Sequence, residues 1–416
     1  MSTPHEIEYT IYWGEPDEGS SLYSEETVNE PGDASGEDTT VDTGKRSPEQ
    51  LGTLIKTGEM ELKHATQYAV SYYGDYALIS IAGSGDYLLV PEGSETPEGI
   101  PDDITLIGQP PKRTYLVSSA AMDLVCKCGG LDNILFSGTR ADDWYVEEAA
   151  AAMKEGRILY AGKYRAPDYE LILSGGCDLA IENTMIYHNP EVKEKLEELG
   201  IPVLVETSSY ESSPLGRLEW IKLYGLLYGK EKEAGEYYNK QIELMEPVIH
   251  KESTGKSVAF FHITTNGMVT VRKNGDYIST MIGMAGGEYV GTMEDKSAKD
   301  GGSAGTDGST VKKDDTGGSS NALSTMNIQM EDFYASALDA DILIYNSTIE
   351  GEIHSVDELI NKSGLFRDFK AVKEGQVYCT EPALFQEITG MGDFIMDLNA
   401  VFTGEKRDMI YLTKLE

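Results

Sequence analysis

Residues 178–205 read DLAIENTMIYHNPEVKEKLEELGIPVLV, a complete strand–helix–strand unit in 28 residues. Asp178-Leu179-Ala180-Ile181 is an apolar run of strand length. Asn189-Pro190-Glu191 then supplies an N-cap, a first-turn proline and a first-turn acid, the three residue types that open a helix. The helix runs to Leu199, where Gly200 suits the left-handed residue of a helix end and Pro202 stops continuation. Ile201-Pro202-Val203-Leu204-Val205 follows as a strand whose proline is confined to its start. A crossover of this kind joins parallel neighbours in one sheet, so the unit predicts α/β architecture.

The same grammar extends outward in both directions. Upstream, Thr114-Tyr115-Leu116-Val117 reads as a strand, and Ser118 or Ser119 caps a helix to Cys128 stopped by Gly129-Gly130. Pro167 is placed for the first turn of a helix through Leu173, ended by Gly175-Gly176. Further upstream, Ala69-Val70-Ser71-Tyr72-Tyr73 and Ala77-Leu78-Ile79-Ser80-Ile81, split by Gly74-Asp75, predict a β-hairpin with Tyr87–Pro91 as its third strand. Residues 92–103 read as a loop. Downstream, Ser213-Pro214 opens a helix whose Leu218, Ile221, Tyr224 and Tyr228, with Trp220, Leu223 and Leu227 beside them, form an apolar stripe wide enough to require deep packing. A second helix runs from about Lys230 towards Pro247, which should kink or end it. Strands at Ser257–Ile263, Met268–Arg272 and Ile342–Tyr345, helices near Ile278–Ala285 and Met330–Leu338, and a last strand at Gln376–Tyr378 before a C-terminal helix restart the pattern.

The expected fold is thus α/β, two lobes with central sheets flanked by helices and joined by a single long rigid helix. The expected division is an acidic flexible tether at 1–55, an N-terminal lobe at 56–228, the connecting helix at 229–252 and a C-terminal lobe at 253–416. Residues 294–321, rich in Gly, Ser, Asp and Lys, read as a long mobile loop.

Charge narrows the function. In 416 residues Lys and Arg number 34 against 71 Asp and Glu, a formal net charge of −37. Nucleic acids and anionic membrane surfaces both demand cationic side chains, so both are excluded as partners. The first 50 residues hold 13 acids against Lys45 and Arg46 alone, the composition of a solvated tether. Met1-Ser2-Thr3-Pro4-His5 lacks the charged and apolar regions of a signal peptide. A tether of this kind suits a surface protein held off a membrane, with its signal sequence absent from this chain.

No catalytic motif stands out, and the six histidines (5, 64, 188, 250, 262 and 354) are scattered singly. His188 and His262, one per lobe, leave a divalent-metal site across a cleft as an alternative, although such sites usually gather several ligands. Cys126 and Cys128 lack the zinc-type spacing. What departs from the acidic background is aromatic and cationic. Arg140, Trp144 and Tyr145 lie in one loop, Tyr164 and Arg165 in the next, and Arg272 and Tyr277 at the matching place in the second lobe; Tyr187 and His262 complete the candidate cleft set. Guanidinium groups beside aromatic faces suit a flat, anionic or aromatic ligand.

The ordered set resembles the substrate-binding proteins of ABC importers for iron–siderophore, haem and cobalamin. The resemblance is carried by Tyr169-Glu170-Leu171-Ile172-Leu173 before Cys177–Ile181, by Pro190–Val203, by Arg217–Gly225 and by Tyr228-Gly229-Lys230-Glu231. In the second half it rests on Ala285-Gly286-Gly287, Met330-Glu331-Asp332-Phe333, Ala340–Ile344 and Ala371–Tyr378. It covers roughly residues 60 to 404, and its strength is the order of the motifs. It implies a ligand held between two lobes, no enzymatic activity and no intrinsic cofactor, the bound ligand being an iron chelate first, then haem or a corrinoid. It also implies a lipid-anchored, extracellular monomer that delivers to an ABC permease with its ATPase. Glu191 and Glu331, one per lobe, match the glutamates with which the family docks on its permease. The rival readings are a divalent-metal-binding protein of the same transport class and a surface hydrolase.

Overall fold

The computed structural model describes residues 49–249, 251–291 and 325–416. The expected tether and the expected loop at 294–321 lie almost wholly or wholly outside the described residues.

The 178–205 unit forms as read. Leu179–Glu182 and Val203–Val205 pair in parallel, joined through the helix Pro190–Glu198. Gly200 takes φ 79°, the left-handed conformation that a side chain resists. These strands belong to a five-stranded sheet in the order Leu159–Tyr160, Ile134–Ser137, Thr114–Leu116, Leu179–Glu182, Val203–Val205, parallel throughout. Helix Ser119–Cys128 leaves the sheet's third strand and stops at Gly129 in the left-handed conformation. The helix expected to start at Pro167 is Tyr169–Ser174, capped instead by Asp168, whose side chain accepts the Leu171 N–H. Asp caps better than proline can, because it supplies an acceptor.

The second sheet has seven strands and is mixed. Lys256–Ile263 and Ile342–Tyr345 run parallel at its centre, Val377–Thr380 extends them, and Val269–Arg272 turns back antiparallel on the other side. Gln376–Tyr378 is not the last strand: Leu412–Lys414 follows the terminal helix Met391–Thr403 and pairs antiparallel at the edge. Three residues with one buried side chain carry no periodicity from which to read it.

Between the sheets the chain runs through Glu231–Ile249, a helix of 19 residues and about 28 Å at 1.5 Å per residue. Pro247 neither ends it nor stands outside it but sits in the final turn. Its missing N–H removes only one bond there, close to where the helix stops anyway. The helix packs on Ile221–Tyr228 so closely that a Cβ on Gly225 would lie 2.5 Å from the Ala234 Cβ. One buried apolar cluster runs from Leu116 and Val125 of the first sheet region through Tyr238 and Met245 of this helix to Phe260 and Phe394 of the second. A shared core of this kind favours small shear over wide hinge motion.

The predicted hairpin, Tyr68–Tyr73 with Tyr76–Ile81, and its third strand Gly85–Pro91 belong to a separate five-stranded sheet. Sequence reading missed its outer strand, Ile104–Gln109, which pairs in parallel with Gly85–Pro91. Two buried carboxylates fasten this sheet to the helix Pro214–Glu219. Glu219 accepts the backbone N–H groups of Lys63, His64 and Ala65, and Glu211 those of Thr66 and Gln67.

Candidate functional site

In the second half, Val269–Arg272 ends in Arg272, and Asp276 then starts the helix Tyr277–Met284 by accepting the Ile278 N–H at 2.8 Å. The strand end is fixed by Tyr289, whose hydroxyl accepts the Arg272 N–H and donates to its carbonyl, both at 2.8 Å. The guanidinium of Arg272 is only 3% exposed. It lies 5.0 Å from the Phe385 ring centre, 5.8 Å from Tyr277 and 5.9 Å from Phe260, with Asp276 Oδ2 at 3.8 Å.

The opposite wall comes from the first half. Arg217, on helix Pro214–Glu219, places its guanidinium carbon 3.6 Å over the Tyr277 ring. Its Nε donates to the Glu211 carbonyl at 3.1 Å and its Nη2 to the Ser209 carbonyl at 2.5 Å, so the stack is held from behind. Two guanidinium groups from opposite halves therefore meet at one tyrosine. Such a group attracts anions and presents an aromatic face, which suits a flat ligand with carboxylates. Arg217 stands in the sequence as part of a helical run, and only the tertiary contact with a residue sixty positions later distinguishes it.

Of the expected cleft residues, Arg272 and Tyr277 stand together, and His262 lies on the adjoining strand, paired in register with Thr270. Burial, with the Arg272 and Lys362 cations nearby, pushes the His262 imidazole down to about 4, so it is neutral at pH 7. Tyr145 is 46% exposed and reaches this region through its backbone, whose N–H donates to Gln386 Oε1 of the second half at 2.8 Å. The remaining expected residues sit elsewhere on the first half. Trp144 is buried in the core, its indole N–H donating to Ser137 Oγ at 3.3 Å, because an indole at the base of this loop packs more favourably than it projects. Arg140 is exposed and lies 4.3 Å over the Tyr160 ring. Tyr164 is half-buried against the outer core, Arg165 is exposed, and the Tyr187 hydroxyl donates to the Gly83 carbonyl of the N-terminal sheet at 2.9 Å. Glu191 and Glu331 are both exposed in the first turns of their helices. His188 is exposed, and among the described residues no three His, Cys, Asp or Glu side chains gather as a metal site. All four cysteines are free thiols.

Two further carboxylates lie at the strand ends of the first sheet and were not singled out from sequence. Glu206 accepts from Ser118 Oγ at 2.7 Å and from the Ser208 N–H at 3.0 Å. Glu182 is fully buried with neither oxygen hydrogen-bonded, and burial pushes its carboxyl up to about 8.

The fold has known counterparts. A periplasmic binding protein from Veillonella parvula superposes with a TM-score of 0.52 at 15% identity, covering 72% of this chain and 93% of that one. A periplasmic heme-binding protein from Pseudomonas aeruginosa gives 0.51 at 15%, covering 73% and 96%. The chain has the periplasmic solute-binding fold. Two uncharacterized lipoproteins of Methanocaldococcus jannaschii are similar in sequence: one is 24% identical over 330 residues, 76% of this chain and 70% of its own length. The other is 23% identical over 390 residues, 90% of this chain and 92% of its own. No family model matches the chain. Arg217 comes from the first half and Tyr277 and Arg272 from the second, so the cluster lies between the two, and small-molecule sites occur preferentially at such junctions.

Proposed function

We propose that this protein is the lipid-anchored, extracytoplasmic substrate-binding component of an ABC importer, and that its cargo is a metal chelate carrying anionic groups. An iron–siderophore complex comes first, then haem or a corrinoid. The observation that carries the reading is the Arg217–Tyr277–Arg272 stack, contributed by both halves. A chelate with carboxylates beside a flat or compact body uses both features, the cations for its charge and the ring for its face. The near-complete burial of Arg272 means that the halves must part slightly for entry. Lipoprotein relatives and periplasmic fold counterparts support the location outside the cytoplasm. The partners would be the permease and its ATPase, met by a monomer.

The test is direct. Purified protein is mixed with ferric citrate, haemin and cobalamin in turn, and retention of each chelate's visible bands through gel filtration is recorded. For the chelate retained, Arg217→Ala and Arg272→Ala should each weaken binding about fivefold to 150-fold, as loss of a charge-assisted contact of about 1–3 kcal/mol requires. If affinity is unchanged in both variants, the ligand does not sit at this stack. Hydrolysis of glycosides or esters would instead favour the surface hydrolase.

A further inference from the structure

Gln386 is fully buried, and both ends of its amide are used by the opposite half of the molecule. It follows the strand Val377–Thr380 in a turn closed by its own N–H, which donates to the Ala383 carbonyl at 2.9 Å. Its Oε1 accepts the Tyr145 N–H at 2.8 Å, and its Nε2 donates to the Asp143 carbonyl at 2.9 Å. A backbone N–H needs an acceptor and a carbonyl needs a donor, so these partners fix which end of the amide is which. The fork reads the loop's backbone much as a neighbouring strand would.

The residues around it tie this fork to the arginine cluster. Phe385 stands 5.0 Å from the Arg272 guanidinium, and its ring centre is 6.3 Å from that of Tyr277. Four residues after Phe385, the Thr389 N–H donates to Asp123 Oδ2 of the first half at 2.7 Å. One short segment of the second half thus touches the cluster and grips the first half at two points. A carbonyl and an N–H at the base of an exposed loop would otherwise be left to water, and their burial under Gln386 requires the amide.

We propose that Gln386 is a positioning residue of the ligand cleft, setting the 143–145 backbone from the opposite half, next in the chain to Phe385, whose ring lies against the Arg272 guanidinium. This assignment of purpose rests on the reading of the Arg217–Tyr277–Arg272 stack as the ligand site, while the grip itself does not. When the halves part, the loop loses its anchor, so the position of Tyr145 reports the separation of the halves.

Hydrogen exchange at the Tyr145 amide in the full, ligand-free chain tests it, and no cargo is needed. Gln386→Met keeps the side chain's bulk and removes both hydrogen bonds. Exchange at Tyr145 should accelerate tenfold or more while amides in Leu179–Glu182 and Ile342–Tyr345 exchange as before. Gln386→Glu supplies the conservative rescue. A carboxyl offers an acceptor for the Tyr145 N–H in either protonation state, so protection at Tyr145 should return towards that of the native chain, after correction for intrinsic exchange. Unchanged protection in Gln386→Met, or acceleration spread evenly over both sheets, would overturn the proposal. If the grip is confirmed while no chelate binds, the ligand reading fails and the positioning of the loop stands.

Discussion

Glu182 shows what one side chain costs when it is buried without partners. It closes the strand Leu179–Glu182, opposite Val205, with no hydrogen bond to either carboxylate oxygen. Burial disfavours its charged form and raises its carboxyl from an ordinary 4.5 to about 8. The folded chain therefore holds this proton where the unfolded chain has released it. Stability from Glu182 is fully present below about pH 4.5 and drains away as pH rises towards 8. His262 works in the opposite direction over part of that range, since its imidazole is pushed down to about 4. A single substitution separates the two. Glu182→Gln removes the ionisation and leaves His262 alone, so the melting temperature of the variant relative to the native chain should climb steadily from pH 5 to pH 8. Parallel melting curves across that range would mean that Glu182 is solvated or paired in solution.

Elements in this chain are positioned by carboxylates as much as by apolar faces. The 63–67 segment wraps Glu211 and Glu219, and Lys222 Nζ adds a contact to Glu219 Oε1 at 2.7 Å. Burial alone would raise the Glu219 carboxyl, but Lys222 and the N–H groups of Ala65, Lys63 and His64 hold it below the usual range. Glu219→Ala orphans these donors and should cost roughly 2–4 kcal/mol in chemical denaturation, with new proteolytic cleavage near residues 63–67. Cleavage and stability like those of the native chain would show that the N-terminal sheet is held by its apolar face alone. None of this clamp was legible in the sequence, where Glu211 and Glu219 are two acids among 71. The strands and helices were far more legible, because Gly129, Pro190, Gly200 and Pro214 act on their own neighbours within a turn. Arg217 on Tyr277 and Gln386 on Asp143 and Tyr145 join residues far apart in the chain, and no local pattern encodes such pairs. The residues that bridge the halves therefore came from the fold.

At the scale of the whole molecule, the shared core favours small changes of shape, so the permease of the proposed function would recognise the body by what each half displays. The family resemblance assigns that display to Glu191 and Glu331. Both are exposed, each stands in the first turn of a helix, and the helices Pro190–Glu198 and Met330–Ala337 belong to different halves. Local physics accounts for part of this, since an acid in a first helical turn gains roughly 0.3–1 kcal/mol from the helix dipole. Asn189 Nδ2 also donates to Glu191 Oε1, at 3.3 Å. Neither term requires a partner, so stability cannot distinguish docking from capping. Encounter can, because exposed charges steer association and fix orientation more than they add affinity. Glu191→Ala and Glu331→Ala should each leave the melting temperature within a few degrees, as a loss of about 1 kcal/mol at most implies. Chelate affinity should be unchanged as well. The double variant should fail to stimulate ATP hydrolysis by the membrane-embedded permease and ATPase. Full stimulation by the double variant would remove these two glutamates from the docking surface, and the acidic rim of the body would then have to be searched for another pair.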